Sequence, residues 1–279
     1  MSAIFPKKSL GQNFLMDRNV GDKIVAAASV SPTDIVIEIG PGKGALTSLI
    51  AGRALYLLAV EIDDRLCNYL QERLADAANV EVRRGDFLRL DLEAEIGALR
   101  QRFPQTSAVK IISNLPFYIT TPIITRIIEN RSLVDHAVVT VQKEVAARFT
   151  ASPGSKRYGA ITIFLNYYAQ MTVLFDIPRK AFRPEPEVDG SVVSIVPRAE
   201  PAVKVSDEAF FFRTIRAGFQ QRRKMLRNSL LSLGVGQEDL ERALHEASLD
   251  PTLRPERLSM QDFARLADSL REVAQQKIP

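Results

Sequence analysis

The chain has 279 residues, 46% of them hydrophobic and 25% charged, with a formal net charge of +4. That is an ordinary globular composition, long enough to bury a core without covalent staples. Cys67 is the only cysteine, and His136 and His245 are the only histidines. An intramolecular disulfide is therefore excluded, as is a Cys-rich or His-rich metal centre. No apolar run reaches membrane-spanning length, and the first ten residues carry Lys7 and Lys8 without the apolar stretch of a secretory signal. A cytoplasmic protein with no membrane partner and no metal is expected.

Residues 35–39 form a short β-branched run that stops at Gly40, and residues 44–50 follow with helical spacing. Residues 55–60 are apolar again, 64–76 read as a helix and 80–84 as a third strand. Residues 109–113 and 137–141 supply a fourth and a fifth strand. Between them lies a helix over 120–129, with Pro122 tolerated in its first turn. This alternation predicts an α/β fold, a mostly parallel sheet covered by helices. The pattern then changes. Residues 158–168 read as a helix, while 171–177 and 191–196 read as strands joined by the proline- and charge-rich segment 178–190. An antiparallel final strand accounts for that. Residues 198–207 are a polar linker, and the helical patterning of 210–233, 237–247 and 259–275 predicts a small all-helical domain. The expected division is 1–200 and 201–279.

Gly40, Gly42 and Gly44 stand directly after a strand and before a helix, where glycine lets the backbone turn tightly and approach a nucleotide-like ligand. The same loop fits a dinucleotide fingerprint, so on this loop alone a nicotinamide-dependent oxidoreductase competes. Glu61 ends the second strand at the offset expected of an acid that grips ribose hydroxyls. Asp86, at the end of the third strand, has two readings: an acceptor for an adenine amine, with Phe87 packing the ring, or the cap of a following turn. Glu38, inside the first strand, needs a cationic or hydrogen-bonding partner, because a buried lone carboxylate is costly.

Asn114-Leu115-Pro116-Phe117 begins where the fourth strand ends, on the ligand-bearing edge of such a sheet. An adenine exocyclic nitrogen is a poor nucleophile because its lone pair is delocalised into the ring. The Asn114 side-chain oxygen and the Leu115 carbonyl can take its two hydrogens, Pro116 stiffens the turn, and Phe117 offers a stacking face. The bland alternative is a proline loop whose phenylalanine fills the core.

Taken in order, these segments resemble the ribosomal RNA adenine N6,N6-dimethyltransferase family, and within it the small-subunit methyltransferase A branch. The resemblance runs almost end to end: Gly11-Gln12-Asn13-Phe14-Leu15, the glycine loop from Glu38 to Gly44, Val60-Glu61-Ile62-Asp63, Gly85-Asp86, Asn114 to Phe117, Phe182 to Asp189, and Phe219 to Leu226. It implies a Rossmann-like class I methyltransferase sheet and S-adenosylmethionine as donor. It also implies two adjacent adenosines near the 3′ end of small-subunit ribosomal RNA as acceptors, within an immature small subunit. By motif position Asn13, Leu15, Glu38, Gly40, Gly42, Glu61, Ile62, Asp86, Phe87 and Asn114 would line the donor site. Asn114, Leu115 and Phe117 would meet the target base, with Phe182 as a second wall. Two positions depart from the family pattern: Phe117 replaces a usual tyrosine, and Gly190 stands before Ser191 where the pattern runs Val-Asp-Ser.

Arg213, Arg216, Arg222, Arg223, Lys224 and Arg227 fall in one predicted helix with no acid between Arg213 and Arg227. Arg216, Gln220, Arg223 and Arg227 share a face there, a candidate phosphate-binding stripe. Phe210, Phe211, Phe212 and Phe219 read as core. A monomer is expected. Besides an adenine dimethyltransferase of the small subunit, the competing functions are the related large-subunit enzyme of macrolide resistance, the oxidoreductase, and a non-catalytic assembly factor.

Overall fold

The computed structural model describes residues 5–7, 10–220 and 224–275. The chain forms two compact units. The first runs to Ala146 and resumes over Ala169–Arg198; the second is Ala147–Tyr168 together with the chain from Ala199 onward. Residues 147–168, counted with the sheet in the sequence-based division at 200, therefore belong to the helical unit.

The first unit is built on seven strands: β2 (Asp34–Ile39), β3 (Tyr56–Glu61), β4 (Val80–Arg84), β5 (Ala108–Asn114), β6 (His136–Gln142), β7 (Ala169–Ile177) and β9 (Gly190–Pro197). Their order is β4-β3-β2-β5-β6-β9-β7. The first five are parallel, and β9 runs antiparallel to both neighbours. Strands β2 and β3 are buried along their whole length, as their near-continuous apolar runs require of a sheet covered on both faces. On one face Val36, Leu57, Ile112 and Val138 pack with α1 (Arg18–Ala27) and α2 (Thr47–Ala51). Ala59, on the same face as Leu57, packs with Cys67 and Leu70 of α3 (Asp64–Arg73). The strand order reverses between β2 and β5. Right-handed crossovers then send α4 (Leu92–Arg102) and α5 (Thr120–Glu129) to the opposite face. A further helix, α6 (Lys143–Phe149), follows β6.

Two strands of two residues each lie outside this sheet. β1 (Phe14–Leu15) pairs antiparallel with β8 (Phe182–Arg183), Leu15 opposite Phe182. Neither has the length to show a period of its own.

The second unit holds α7 (Ala160–Tyr168), α8 (Glu208–Gln220), α9 (Leu226–Leu230), α10 (Gln237–Glu246) and α11 (Met260–Gln275). Tyr167 packs at a tilt on Phe211 and Tyr168 stacks on Phe212, with ring centroids 5.3 and 5.7 Å apart, and both hydroxyls donate to Glu208. Phe211 and Phe212 are thus core, as expected. The expected single helix over 210–233 is not formed. α8 ends at Gln220 and α9 begins at Leu226, with Lys224 in a bend and Met225 extended at φ −62°, ψ 152°. The Leu226 amide donates to the Leu253 carbonyl (2.7 Å), which replaces a bond to the preceding turn. The cationic stripe is therefore not one helix face. Arg213, Arg216, Lys224 and Arg227 are exposed, and Arg222 and Arg223 lie outside the described residues.

Asp34 opens β2 in a buried position, where it accepts from Lys110 Nζ, the Ser31 amide and Ser107 Oγ, each at 2.8 Å. Burial alone would raise its carboxyl; the Lys110 ammonium and the other donors bring it below its ordinary value. Asp34→Ala should cost about 2 kcal/mol in guanidinium unfolding at neutral pH, because it strands a mostly buried ammonium. The folded pKa is depressed, so the contribution is complete above about pH 4 and fades as the pH falls through the folded value. The gap between variant and wild type should close accordingly in acid.

Candidate active site

The reversal of strand order leaves a crevice at the carboxyl ends of β2 and β5, the place where open α/β sheets bind ligands. The Gly40 amide donates to the Val60 carbonyl (2.9 Å), so the loop leaves β2 in register with β3. Ser113 Oγ, buried, donates to the Ile39 carbonyl (2.5 Å) and ties β5 to the same point. Gly40, Gly42 and Gly44 have φ of +63°, +61° and +82°, a region closed to most side chains. A Cβ on Gly42 would stand 3.1 Å from the Phe14 ring, and one on Gly44 2.7 Å from Leu70. A Cβ on Gly40 would meet nothing within 4 Å, because it points into open space.

That space is a cavity open to solvent. Each donor-site and target-base residue expected from the sequence lines it: Asn13, Leu15, Glu38, Gly40, Gly42, Glu61, Ile62, Asp86, Phe87, Asn114, Leu115, Phe117 and Phe182. Glu61 is almost fully buried at the end of β3. Its Oε2 accepts from the Gly42 amide (3.0 Å) and its Oε1 from the Asp63 amide (2.9 Å). Burial pushes its carboxyl up, and these amides oppose the rise. Glu38 is 1% exposed, and its Oε2 has no hydrogen-bond partner. Burial pushes its pKa up to about 8; the nearby Thr47 hydroxyl opposes the shift and the charge of Glu61 adds to it. Ile62 is exposed beside Glu61, and Phe87 is buried. Asp86 Oδ1 accepts from the Leu88 amide (3.0 Å), so it caps the turn after β4 and also faces the cavity.

At the end of β5 the Asn114 amide nitrogen donates to the Asn13 carbonyl (3.0 Å). A carbonyl only accepts, so this contact fixes which end of the amide is nitrogen. Asn114 Oδ1 is left without a protein partner among the described residues, as is the Leu115 carbonyl. Phe117 is half-buried in the cavity wall, and Phe182 reaches the same wall through the pairing of β8 with β1. Sequence reasoning did not assign Phe14, Lys43 or Gln12 to the cavity, although all three line it. Lys43 Nζ stands 5.0 Å from the Phe14 ring centre. The signal for Phe14 and Gln12 was their place in the motif around Asn13. Nothing in the loop marked Lys43. Gly190 also finds a reason: a Cβ there would lie 3.3 Å from Thr140 Cγ2 and 3.6 Å from Phe182 Cζ.

The family model described as ribosomal RNA adenine dimethylase matches residues 6–272. The chain belongs to this family. It is 44% identical over 268 residues to the ribosomal RNA small subunit methyltransferase A of Moorella thermoacetica, covering 96% of this chain and 93% of that protein. It is 45% identical over 271 residues to the protein of the same name from Streptococcus agalactiae, covering 96% and 92%. Among solved structures, a dimethyladenosine transferase from Plasmodium falciparum superposes with a TM-score of 0.77 at 25% identity, over 94% of this chain and 98% of that one. The 23S rRNA methyltransferase ErmE superposes at 0.72 with 26% identity, over 93% and 100%. Ribosomal RNA adenine dimethylases use S-adenosylmethionine, and the cavity fits such a donor. It offers an unpartnered buried carboxylate for a cationic group, a glycine cradle for close backbone approach, and a strand-end acid for ribose hydroxyls.

Gly40→Ala should hold the fold but weaken binding of S-adenosylhomocysteine about tenfold or more by calorimetric titration. The residue would be held at φ +63°, at a strain of about 1–2 kcal/mol, and its methyl would project into the donor cavity.

Proposed function

We propose that this protein methylates N6 of two adjacent adenosines near the 3′ end of small-subunit (16S) ribosomal RNA, twice each, with S-adenosylmethionine as donor. The acceptor is the RNA within an immature small subunit, and the enzyme works as a cytoplasmic monomer. The observation that carries the chemistry is the free Oδ1 of Asn114, beside the free Leu115 carbonyl on the cavity that Glu38 and Glu61 line. The small-subunit acceptor is supported by relatives of that name at 44% and 45% identity, against 26% for the 23S enzyme.

S-adenosylmethionine, when bound, supplies an electrophilic methyl on a positively charged sulfur. Glu38 would pair with the donor's cationic part and Glu61 with the ribose hydroxyls, while Ile62 and Phe87 pack the donor adenine and Asp86 accepts from its amine. Asn13 and Leu15 complete that wall. On the acceptor side, Asn114 Oδ1 and the Leu115 carbonyl take the two amine hydrogens of the target base. This draws the nitrogen lone pair out of conjugation and aims it at the methyl. Phe117 would offer the base a stacking face, at about 1–3 kcal/mol per stacked base, with Phe182, 1% exposed, packed behind the wall. No general base is needed at the nitrogen, because the methylated amine sheds its proton to solvent once it is cationic. Most of the acceleration is placement, which can supply up to about 7–11 kcal/mol. Arg216, Lys224 and Arg227, exposed and without an ion-pair partner among the described residues, would meet RNA phosphates together with Arg222 and Arg223.

Labelled S-adenosylmethionine and immature small subunits should yield labelled adenosines; donor binding without transfer would overturn the proposal. Asn114→Ala should lower kcat at least about 100-fold while changing S-adenosylhomocysteine affinity less than about fivefold, since its oxygen acts on the acceptor. Glu38 gives a pH signature. Its folded pKa is raised to about 8, and a cationic donor favours the ionised form, so binding expels a proton from Glu38 whenever the pH is below that value. Donor affinity should therefore climb with pH toward about 8 and then level, and this component should vanish in Glu38→Gln.

A further inference from the structure

The turn after β3 carries a second buried carboxylate that the methyl-transfer scheme leaves unused. Asp63 caps α3 through the Arg65 amide (3.2 Å), and its side chain is wholly enclosed. A cap needs no more than that amide. Asp63 nevertheless collects Arg65 Nε (3.1 Å) and Nη2 (2.7 Å) and, from the start of the chain, Lys7 Nζ and Gln12 Nε2, both at 3.1 Å. These donors hold its carboxyl well below the ordinary range, Arg65 most of all. Gln12 is used at both ends, because its Oε1 accepts from the Lys7 amide (2.7 Å). The Leu10 amide donates to the Lys7 carbonyl (3.1 Å). Lys7 and residues 10–12 are thus tied to one another and moored on Asp63.

The other end of the same segment is moored on the acceptor side. The Asn13 carbonyl takes the Asn114 amide, and Phe14–Leu15 pairs with Phe182–Arg183. Between the moorings Leu10, Gly11, Gln12 and Asn13 line the cavity. Among the described residues the only backbone–backbone bond that residues 10–13 make is the one from Leu10 to Lys7. Side chains fasten the first part of this strap, and the Asn114 amide with the two-residue β1–β8 ladder fastens its end.

We propose that Asp63 is a positioning residue that fastens the strap of Lys7 and residues 10–15 across the donor cavity, and through Asn13 keeps the Asn114 oxygen turned toward the acceptor. This rests on the donor-pocket reading given above. The carboxylate two residues before it grips the donor; Asp63 closes the wall over it. Loss of its charge releases Lys7 and Gln12 together, so donor retention and acceptor geometry fail as one.

Asp63→Asn keeps a good cap for α3 but cannot accept from all the same donors. In the full chain without donor, deuterium exchange at the amides of Lys7 and Leu10, the bonded amides of the strap, should become about tenfold faster, the scale set by loss of one hydrogen bond to a charged group. S-adenosylhomocysteine should bind about tenfold more weakly for the same reason. Lys7→Met, which leaves the cap intact, should move both readouts the same way, and the double variant should show less than the product of the single effects. A lowered unfolding temperature with wild-type exchange in the strap would mean that Asp63 is only a helix cap, and the proposal would be overturned. If Asp63→Asn does not fold, unchanged strap exchange in Lys7→Met overturns it alone. Faster exchange in both variants, in a protein that fails to bind S-adenosylhomocysteine even as wild type, would uphold the mooring and refute the donor reading instead.

Discussion

One carboxylate joins the parts of this site. Glu61 takes the Gly42 amide on one oxygen and the Asp63 amide on the other, so the glycine loop after β2 and the cap of α3 are both set by the end of β3. Its burial opposes ionisation, and the amides that offset this are backbone donors, which carry partial charge only. Glu38 lies buried nearby with one oxygen unpartnered and feels the charge of Glu61. The carboxyl edge of the sheet therefore gathers acidity that the protein leaves uncompensated on the cavity side. A ligand that brings hydroxyl donors and a positive charge relieves both groups at once, whereas a pyrophosphate would add charge of the wrong sign. This local electrostatic balance separates a sulfonium donor from a dinucleotide where the glycine pattern by itself does not.

Strands β2 and β3 were legible because burial on both faces leaves a near-continuous apolar signature, whereas β4 is a mostly half-buried edge strand. β4 spans residues 80–84 and α5 residues 120–129, the ranges expected, and the antiparallel β9 follows from the missing helix between residues 177 and 191. The helix α5 tolerates Pro122 in its first turn, as expected. Elsewhere the signal was non-local. β1 and β8 exist because Leu15 and Phe182 face one another across the chain, and two residues carry no periodicity. The break between α8 and α9 has neither glycine nor proline to announce it; it is set by the Leu226 amide finding Leu253. Residues 147–168 read as a continuation of the sheet domain because the partners of Tyr167 and Tyr168 lie 40 residues away or more, at Glu208, Phe211 and Phe212. The helices α1, α4 and α6 were not singled out in the sequence, yet none of the residues expected at the site depended on them.

The residues of the site were more legible than their relations. That Asn114 would stand at a strand end follows from the chain. That its amide nitrogen would be held by Asn13, freeing the oxygen, follows only from the folded strap. The same strap places Phe14 over Gly42, so the segment near the start of the chain shapes the donor cradle and the acceptor group together. The sheet supplies fixed points, and a short irregular segment connects them.

The two departures from the family pattern can be weighed on the same geometry. A Cβ on Gly190 would be tight against Thr140 Cγ2 and in ordinary contact with the Phe182 ring, so glycine there relieves crowding at Thr140. Phe117 lacks the hydroxyl of the usual tyrosine, while its neighbour Tyr118 is exposed and lies over Gly11. The ring at 117 can contribute a face but no hydrogen bond. On the proposed acceptor reading, polar recognition of the target amine in the part of the wall built by residues 114–117 falls to Asn114 Oδ1 and the Leu115 carbonyl, both acceptors. A pair of acceptors selects an amine that has two hydrogens to give. On that reading one hydrogen remains after the first transfer, so one of the two oxygens loses its partner and the second transfer leans more heavily on the stacking face of Phe117.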